Sequence, residues 1–288
     1  MTEAAPAPGP GTAGTGPATV DTLLQGYQVE STVGDIAFCG VNLIEAPDGE
    51  GGVRRIVVDT GHFGRGVVLR RALAERGLTA SDIDVLVLTH THWDHVQGLQ
   101  FFDRAAVMVH PRELDYISHP HPQDFATPAW TKAVLDLYDV RHAVEGTELA
   151  TGVHVVEVPG HSPGTIAVAV DTADGMAVVT GDAIQNALVA RHRRNALVFW
   201  DEEQANASVR RLVDMSDLVY PGHDQPFRVS AGNEISYLTG FSFGLRRVTP
   251  DMPGLTFDLD PVLRPQLFPA PTGWMDRPPP VDSPTTTG

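Results

Sequence analysis

The stretch "DVLVLTHTHWDHVQG", Asp84 to Gly98, constrains the fold of this chain more than its other segments do. A run of branched aliphatic residues reads as a buried strand and ends directly in His90, His92, Asp94 and His95. Desolvating three imidazoles and a carboxylate at a strand end is costly unless something binds them. With 12 His in 288 residues, a chance match to H-x-H-x-D-H is on the order of one in a thousand, so coincidence is a poor account. Histidines bonded only to one another would leave ring donors competing for too few acceptors. A divalent cation resolves both problems. His and Asp ligands without a thiolate suit zinc and other borderline ions.

The rest of the chain alternates between strand and helix patterns. "DIAFCGVNLIEA" and "RRIVVDTG" read as strands of an antiparallel hairpin around the Gly-rich turn "DGEGG". "GVVLRRALAERG" puts Val67, Leu69, Ala72 and Leu73 on one helical stripe and closes at Gly77. A short strand at "AAVMVH" and a helix from near Pro111 follow, then the irregular stretches "SHPHPQDF" and "TPAWTKAVLDLYD". "GVHVVEVPG", "TIAVAVDT" and "GMAVVTGD" are three further strands. "DEEQANASVRRLVDMS" is a helix opened by Asp201, with acidic residues in its first turn and arginines later, as the macrodipole favours. "DLVYPGH" is one more strand.

The polar residues fall just past strand ends: His161 after "VHVVEVPG", Asp182 after "MAVVTG", His223 after "DLVYPG". If these strands lie side by side with the first, seven side chains converge on one edge of a sheet, where sheet enzymes place ligand sites. Seven ligands exceed the needs of one tetrahedral ion. Two ions roughly 3.5–4 Å apart, bridged by a carboxylate and a hydroxide, would use them all.

Composition bounds the partners. The formal charge of -16 repels polyanions and anionic membrane surfaces, so no nucleic acid is expected and a small-molecule substrate fits better. No run of about eighteen apolar residues is present, so no membrane span is expected. A single cysteine, Cys39, excludes an internal disulfide and suits the cytoplasm, where it reads as a small buried residue on a strand. No oligomeric state is read from the sequence. Residues 1–19 read as a disordered tail without the features of a secretion signal, and residues 20–245 as the domain. Residues 246–288 read as a Pro-rich extension whose Leu263, Leu267, Phe268 and Trp274 can lie on the domain surface, with a loose end beyond about Asp276.

"THTHWDH", "PGHSPG", "TGD" and "PGH", with "VDTG" at Val58 to Gly61, resemble the metallo-β-lactamase fold superfamily in order and spacing, over about Tyr27 to Val229. The resemblance implies an α/β fold: a four-layer αββα sandwich of two mixed β-sheets flanked by helices. It implies His90, His92 and His161 on one ion, Asp94, His95 and His223 on a second, and Asp182 bridging them. Asp59 is then an outer carboxylate holding the ligand loops. "YPGHDQPFRV" also resembles one particular group within the superfamily.

Two zinc ions, or manganese or iron in their place, would generate a metal-bound hydroxide and polarise the carbonyl of an ester, lactone or thioester. Asp94, which the resemblance places beside the water, would pass a proton to the leaving group. Three readings compete with this binuclear hydrolase: an iron-dependent oxidoreductase like the persulfide dioxygenases, a phosphodiesterase or ribonuclease, and a non-catalytic metal-binding protein. Asp182 and the Asp94–His95 pair depart from the cysteine-bearing pattern of zinc β-lactamases, which argues against antibiotic hydrolysis. The tyrosine that acyl-homoserine lactonases usually carry about a dozen residues beyond the bridging aspartate is missing from "ALVARHRRNALVFW", and nothing in the sequence assigns its role to His192. "GHSPG" matches a serine nucleophile elbow, but Pro163 lacks the N–H such an elbow needs, so Ser162 reads as a turn residue supporting His161.

Several residues carry two readings each. His62 lines a pocket or is structural. His119 and His121 belong to a lid or a surface loop. Arg191, Arg193 and Arg194 hold a substrate anion near Asp182 or form a solvated face. Phe125, Trp130, Phe199 and Trp200 form an apolar substrate wall or part of the core.

Overall fold

The turn expected at "DGEGG" is pinned by one side chain: Asp48 Oδ1 accepts from Glu50 N (2.7 Å) and Gly52 N (2.9 Å). Around it, a computed structural model describes residues 16–29, 36–102, 104–195, 197–230, 232, 234–245 and 255–259. The first half runs β1 (Thr19–Leu24), β2 (Tyr27–Val29), β3 (Ile36–Phe38), β4 (Val41–Pro47), β5 (Val53–Val58), α1 (Gly66–Ala74), β6 (Val85–Val87), α2 (Trp93–Val96), β7 (Ala106–Val109), α3 (Pro111–Tyr116), α4 (Thr131–Leu135) and β8 (Val140–His142). The second half runs β9 (Glu148–Ala150), β10 (Val153–Glu157), β11 (Ile166–Thr172), β12 (Gly175–Gly181), α5 (Ala187–His192), α6 (Glu202–Met215), β13 (Leu218–Pro221), β14 (Phe227–Ser230), β15 (Glu234–Tyr237), β16 (Phe241–Leu245) and β17 (Leu255–Leu259).

Two mixed sheets result. The first has the order β1-β4-β5-β6-β7-β8, antiparallel from β1 to β5 and parallel from β5 to β8. The second has the order β15-β14-β13-β12-β11-β10-β9, with β12 and β13 parallel and its other pairs antiparallel.

Alternation along each strand builds the layers. Ile56 and Val58 of β5 join Val168, Val170 and Val179 of the other sheet in a core between the sheets. Val57, with Leu43, Leu86 and Val107, faces outward and is covered by Leu69 and Leu73 of α1. On the opposite side, Ala167, Val178 and Val219 are covered by Val209, Leu212 and Val213 of α6. The architecture is a four-layer αββα sandwich, as expected, and each fully buried Leu contributes roughly 1.5–3 kcal/mol to it. Helix α6 starts at Asp201, whose carboxylate accepts from Gln204 N (2.8 Å).

The structure redraws four details. Val67, expected on the buried stripe of α1, is 64% exposed. It lies two positions from Leu69, and residues two apart on a helix do not share a face. The glycine stop itself is as expected: Gly77 has φ 71, and its N–H and that of Leu78 bond to the carbonyls of Ala74 and Leu73 (3.0 and 2.9 Å). "DIAFCGVNLIEA" is two strands rather than one, because the chain leaves the sheet at Gly40, whose N–H donates to Gly222 O (2.6 Å) in the loop carrying His223. β3 instead pairs with β2 in a separate ribbon.

At the termini, Ala18 is buried and bridges to Thr172, and Thr19 opens β1, so these two residues belong to the domain and not to a tail over residues 1–19. Residues 1–15 lie outside the described residues. So do Leu263, Leu267, Phe268 and Trp274, while β17, inside the Pro-rich extension, pairs with β16. No helix among the described residues is long and apolar enough to cross a membrane.

Candidate metal centre

The loop from Thr89 to His95 leaves β6 and is bracketed from both ends by two residues at the end of β5. Asp59 Oδ1 accepts from Thr89 N (2.8 Å), and its Oδ2 accepts from His95 Nδ1 (2.8 Å). Thr60 bonds His95 O through both its N–H (2.8 Å) and its hydroxyl (2.7 Å). To make these contacts Asp59 adopts φ 60, a left-handed conformation that surrounding bonds must hold in place for a residue with a Cβ. Because Nδ1 of His95 is engaged by Asp59, its Nε2 is the atom turned to the rim.

The other three residues arrive from the second sheet. His161 Nδ1 donates to Leu197 O (2.7 Å), which leaves Nε2 facing His92. Asp182 begins the turn after β12, and Asn195 Nδ2 holds it by donating to Asp182 O (2.8 Å) and Ala183 O (3.2 Å). His223 N donates to Gln185 O (2.7 Å). The glycines here are obligatory spacers: a Cβ on Gly222 would lie 2.1 Å from Asp182 Oδ1, and one on Gly181 would lie 2.3 Å from Thr89 Oγ1. The seven residues therefore meet where the carboxyl ends of β6, β10, β12 and β13 face each other across two sheets. The expectation of a single sheet edge is corrected, since β6 lies in one sheet and the other three strands in its partner.

All seven expected residues are brought together, and all are buried, from 0% exposure for His90 and His95 to 6% for His223. One ligand atom each from His90, His92, His161 and Asp182 lie within 4.8 Å of one another, as do atoms of Asp94, His95 and His223. His161 Nε2 is 3.0 Å from His92 Nδ1 and 3.6 Å from Asp182 Oδ2. Asp182 Oδ1 is 3.4 Å from His95 Nε2 and 3.2 Å from His223 Nε2. Asp94 Oδ2 lies 3.4 Å from His223 Nε2 and 3.7 Å from His95 Nε2. Ligand atoms each about 2 Å from one ion must lie within about 4 Å of each other, and these contacts meet that condition.

The decisive observation is what these atoms lack. His90 Nε2, His95 Nε2, Asp94 Oδ2 and Asp182 Oδ1 are buried with no hydrogen-bond partner. Each such group costs roughly 1–3 kcal/mol, so a cluster of four aimed at a common space is a cradle for a cation. Burial, with the neighbouring imidazoles, keeps His90 well below the ordinary histidine range and His161 down at about 3, so both rings are neutral and free to ligate. Burial also opposes charge on His95 and His223, yet the carboxylates around them raise both. Burial works against ionised Asp182, but His223 and His95 beside it keep it well below its usual range. The rim is thus a field built for positive charge.

One supporting group that sequence reasoning missed is a carboxylate beside His92. Asp124, from the irregular "SHPHPQDF" stretch, is buried with Oδ2 3.4 Å from His92 Nε2. Its carboxylate accepts from Tyr116 OH (2.8 Å), Thr127 Oγ1 (2.7 Å), Ala126 N (2.8 Å) and Thr127 N (3.0 Å). Burial pushes its pKa up, but these donors and His92 bring it below the usual carboxylate range. The signal was the "DFAT" turn, in which an Asp binds its own following backbone.

The residues with two readings also find their places. His119 and His121 are exposed in a surface loop. His62 is half-buried, stacked on Phe63 (4.4 Å) and 5.4 Å from Trp93, which precedes Asp94. Phe199, 6% exposed, packs on His92 and His161 at 4.9 and 5.4 Å, and Phe125 packs on Phe199 at 5.5 Å. Trp130 and Trp200 are exposed. Arg191 and His192 are exposed, while Arg193 and Arg194 pair with Asp214 (2.6 Å) and Glu202 (2.7 Å).

A sandwich of two mixed sheets whose facing strand ends gather five histidines and two aspartates defines a metallo-hydrolase class, and the chain belongs to the metallo-beta-lactamase superfamily, whose family model matches residues 42–223. Among curated relatives, it is 31% identical to metallo-beta-lactamase domain-containing protein 1 of Homo sapiens over 74% of this chain and 83% of that one. The same protein of Xenopus laevis is 30% identical over 74% of this chain and 82% of that one. Both come from the group that "YPGHDQPFRV" resembles. Among solved structures, AidC, a dizinc quorum-quenching lactonase, is similar in fold with a TM-score of 0.54 at 20% identity, over 70% of this chain and 80% of that one.

Proposed function

We propose that this protein is a binuclear zinc-dependent hydrolase of a small carbonyl substrate: an ester, lactone or thioester. The observation that carries this reading is Asp182, whose Oδ2 reaches His161 while its Oδ1 reaches His95 and His223. One carboxylate touching both groups fits two ions better than one, and this favours the hydrolase over a single-iron oxidoreductase. His90, His92 and His161 would hold the first ion, Asp94, His95 and His223 the second, and Asp182 would bridge them. Bound divalent ions lower the pKa of water toward neutrality and polarise a carbonyl oxygen.

The chain's own groups supply the rest. Asp59 and Leu197 O fix the orientation of His95 and His161, so each of those rings presents one defined nitrogen, and Asp124 lies 3.4 Å from His92 Nε2 on the side away from His161. Asp94, buried and with Oδ2 free of a hydrogen bond, would take up the proton given up by the attacking water and pass it to the leaving group. Phe199 covers His92 and His161 and keeps water off that side. A small, uncharged or weakly charged substrate suits the chain's charge of -16, and one buried thiol suits a reducing compartment such as the cytoplasm. The dizinc lactonase of similar fold supports both the metal and the substrate class.

The test is metal analysis of protein purified without added metal, followed by a screen of lactones, thioesters, aryl esters and phosphodiesters with zinc-, manganese- and iron-loaded protein. Two zincs per chain, and turnover of a carbonyl class that Asp182→Ala reduces well over tenfold, is the expected result. About one iron with oxygen uptake, or the same turnover in both proteins, overturns it.

A further inference from the structure

Glu113 is the third residue of α3, in "HPRELDY", and is 0% exposed. A carboxylate this deeply buried normally sits against a cation. Among the described residues no Lys, Arg or His forms an ion pair with it. Four donors converge on it instead. Its Oε2 accepts from Thr91 N (3.1 Å) and Thr91 Oγ1 (2.8 Å). Its Oε1 accepts from Gly164 N (2.8 Å) and from the hydroxyl of Ser162.

The position of those donors is what matters. Thr91 lies between His90 and His92, and Ser162 follows His161, so one carboxylate ties together the two loops that carry the three histidines. The fit is close, since a Cβ on Gly164 would lie 2.6 Å from Glu113 N. The second group is held by other means: His95 by Asp59 and Thr60, and His223 by Gln185 O. Within the Thr89–His95 loop Glu113 bonds only Thr91, between His90 and His92, and it bonds neither His95 nor the His223 loop.

We propose that Glu113 is a positioning residue for the first ion alone: it sets the separation of the His90–His92 loop from His161, and with it the affinity of that ion. The inference rests on the two-ion reading above. Glu113→Gln tests it with little change of shape. Each carboxylate oxygen faces a backbone N–H, from Thr91 on one side and Gly164 on the other, so the amide NH2 must meet a donor whichever way it flips. One of the two loops is then released.

The measurement is zinc affinity by equilibrium dialysis against buffered free zinc, read by elemental analysis, with cobalt absorption as a second readout of the coordination. In the His223→Ala background, which disables the second ion, Glu113→Gln should weaken the remaining ion more than tenfold and alter its cobalt spectrum. In the His161→Ala background, which disables the first, it should change the remaining ion less than threefold. If Glu113→Gln does not fold, Thr91→Val and Ser162→Ala each remove one hydroxyl donor and should weaken the first ion about threefold. General loosening would weaken both ions equally, and that result overturns the proposal, as does an unchanged first ion. Wild-type protein that binds two ions and keeps both in the variant sinks this inference alone. Wild-type protein that binds fewer than two sinks the two-ion reading with it.

Discussion

Asp59, Glu113 and Asp124 on one hand, and Asp94 and Asp182 on the other, are all buried carboxylates near the same rim, yet the protein treats them differently. The first three spend their oxygens on backbone N–H groups, hydroxyls and imidazoles. The last two each keep an oxygen with no hydrogen bond. A satisfied buried carboxylate stabilises the fold and costs stability when removed, whereas an orphaned one costs stability while it is there. The difference separates residues that build the site from residues that the site exists to present.

The sharpest way to break that comparison is to neutralise one member of each kind and measure both activity and the stability of the metal-free protein. Asp182→Asn should lower turnover by about 100-fold or more, because the charge proposed to bridge two ions is lost. In the metal-free protein burial works against ionised Asp182, and the change removes the attraction of His223 and His95 that keeps it below its usual range. No hydrogen bond of Oδ1 is lost, so the change should cost less stability in chemical denaturation than Asp59→Asn. A large loss of metal-free stability would put Asp182 among the builders. Asp59→Asn should behave in the opposite way. Asn tolerates the left-handed backbone at φ 60, so the cost isolates the lost charge on His95. We expect about 1–3 kcal/mol of lost stability in the metal-free protein. Unchanged stability there would show that the bracket around the Thr89–His95 loop holds without it.

Asp124→Asn sharpens the same contrast from the supporting side. The amide oxygen still accepts from Ala126 N and Thr127 N, so the turn survives, but His92 loses its carboxylate. Outer carboxylates on ligating histidines are worth about 10–100-fold in metal affinity. Titration against a chromophoric chelator should show a loss near the lower end, because the His92–Asp124 contact is a long 3.4 Å. Affinity equal to wild type would make Asp124 a turn residue only.

The division also explains what was legible in the sequence. The seven rim residues could be read because each sits directly after a strand whose hydrophobic pattern is local, and desolvation makes polar groups there conspicuous. The four layers were implied by the resemblance alone; the structure realises them by alternation, with Ile56, Val57 and Val58 facing opposite cores in turn. Glu113 and Asp124 were not legible as site residues. Their roles depend on donors many residues away, such as Gly164 for Glu113, and no local period encodes that meeting. The assignment of the ligand strands to two sheets was equally hidden, because a strand's pattern states that it is buried but not beside which partner.

The surface arginines supply the smallest expected effect and a control for the whole scheme. Arg193 and Arg194 stood in the sequence as candidates to hold a substrate anion, and they now pair with Asp214 and Glu202, whose side chains are 63% and 57% exposed. Exposed pairs of this kind contribute roughly 0–1 kcal/mol and are screened by salt. Arg194→Ala should therefore change the unfolding free energy by less than about 0.5 kcal/mol and leave KM for a responsive ester unchanged. A rise in KM with kcat preserved would mean that Arg194 leaves Glu202 to meet substrate, and the substrate would then carry a negative charge that the rest of the rim gives no reason to expect.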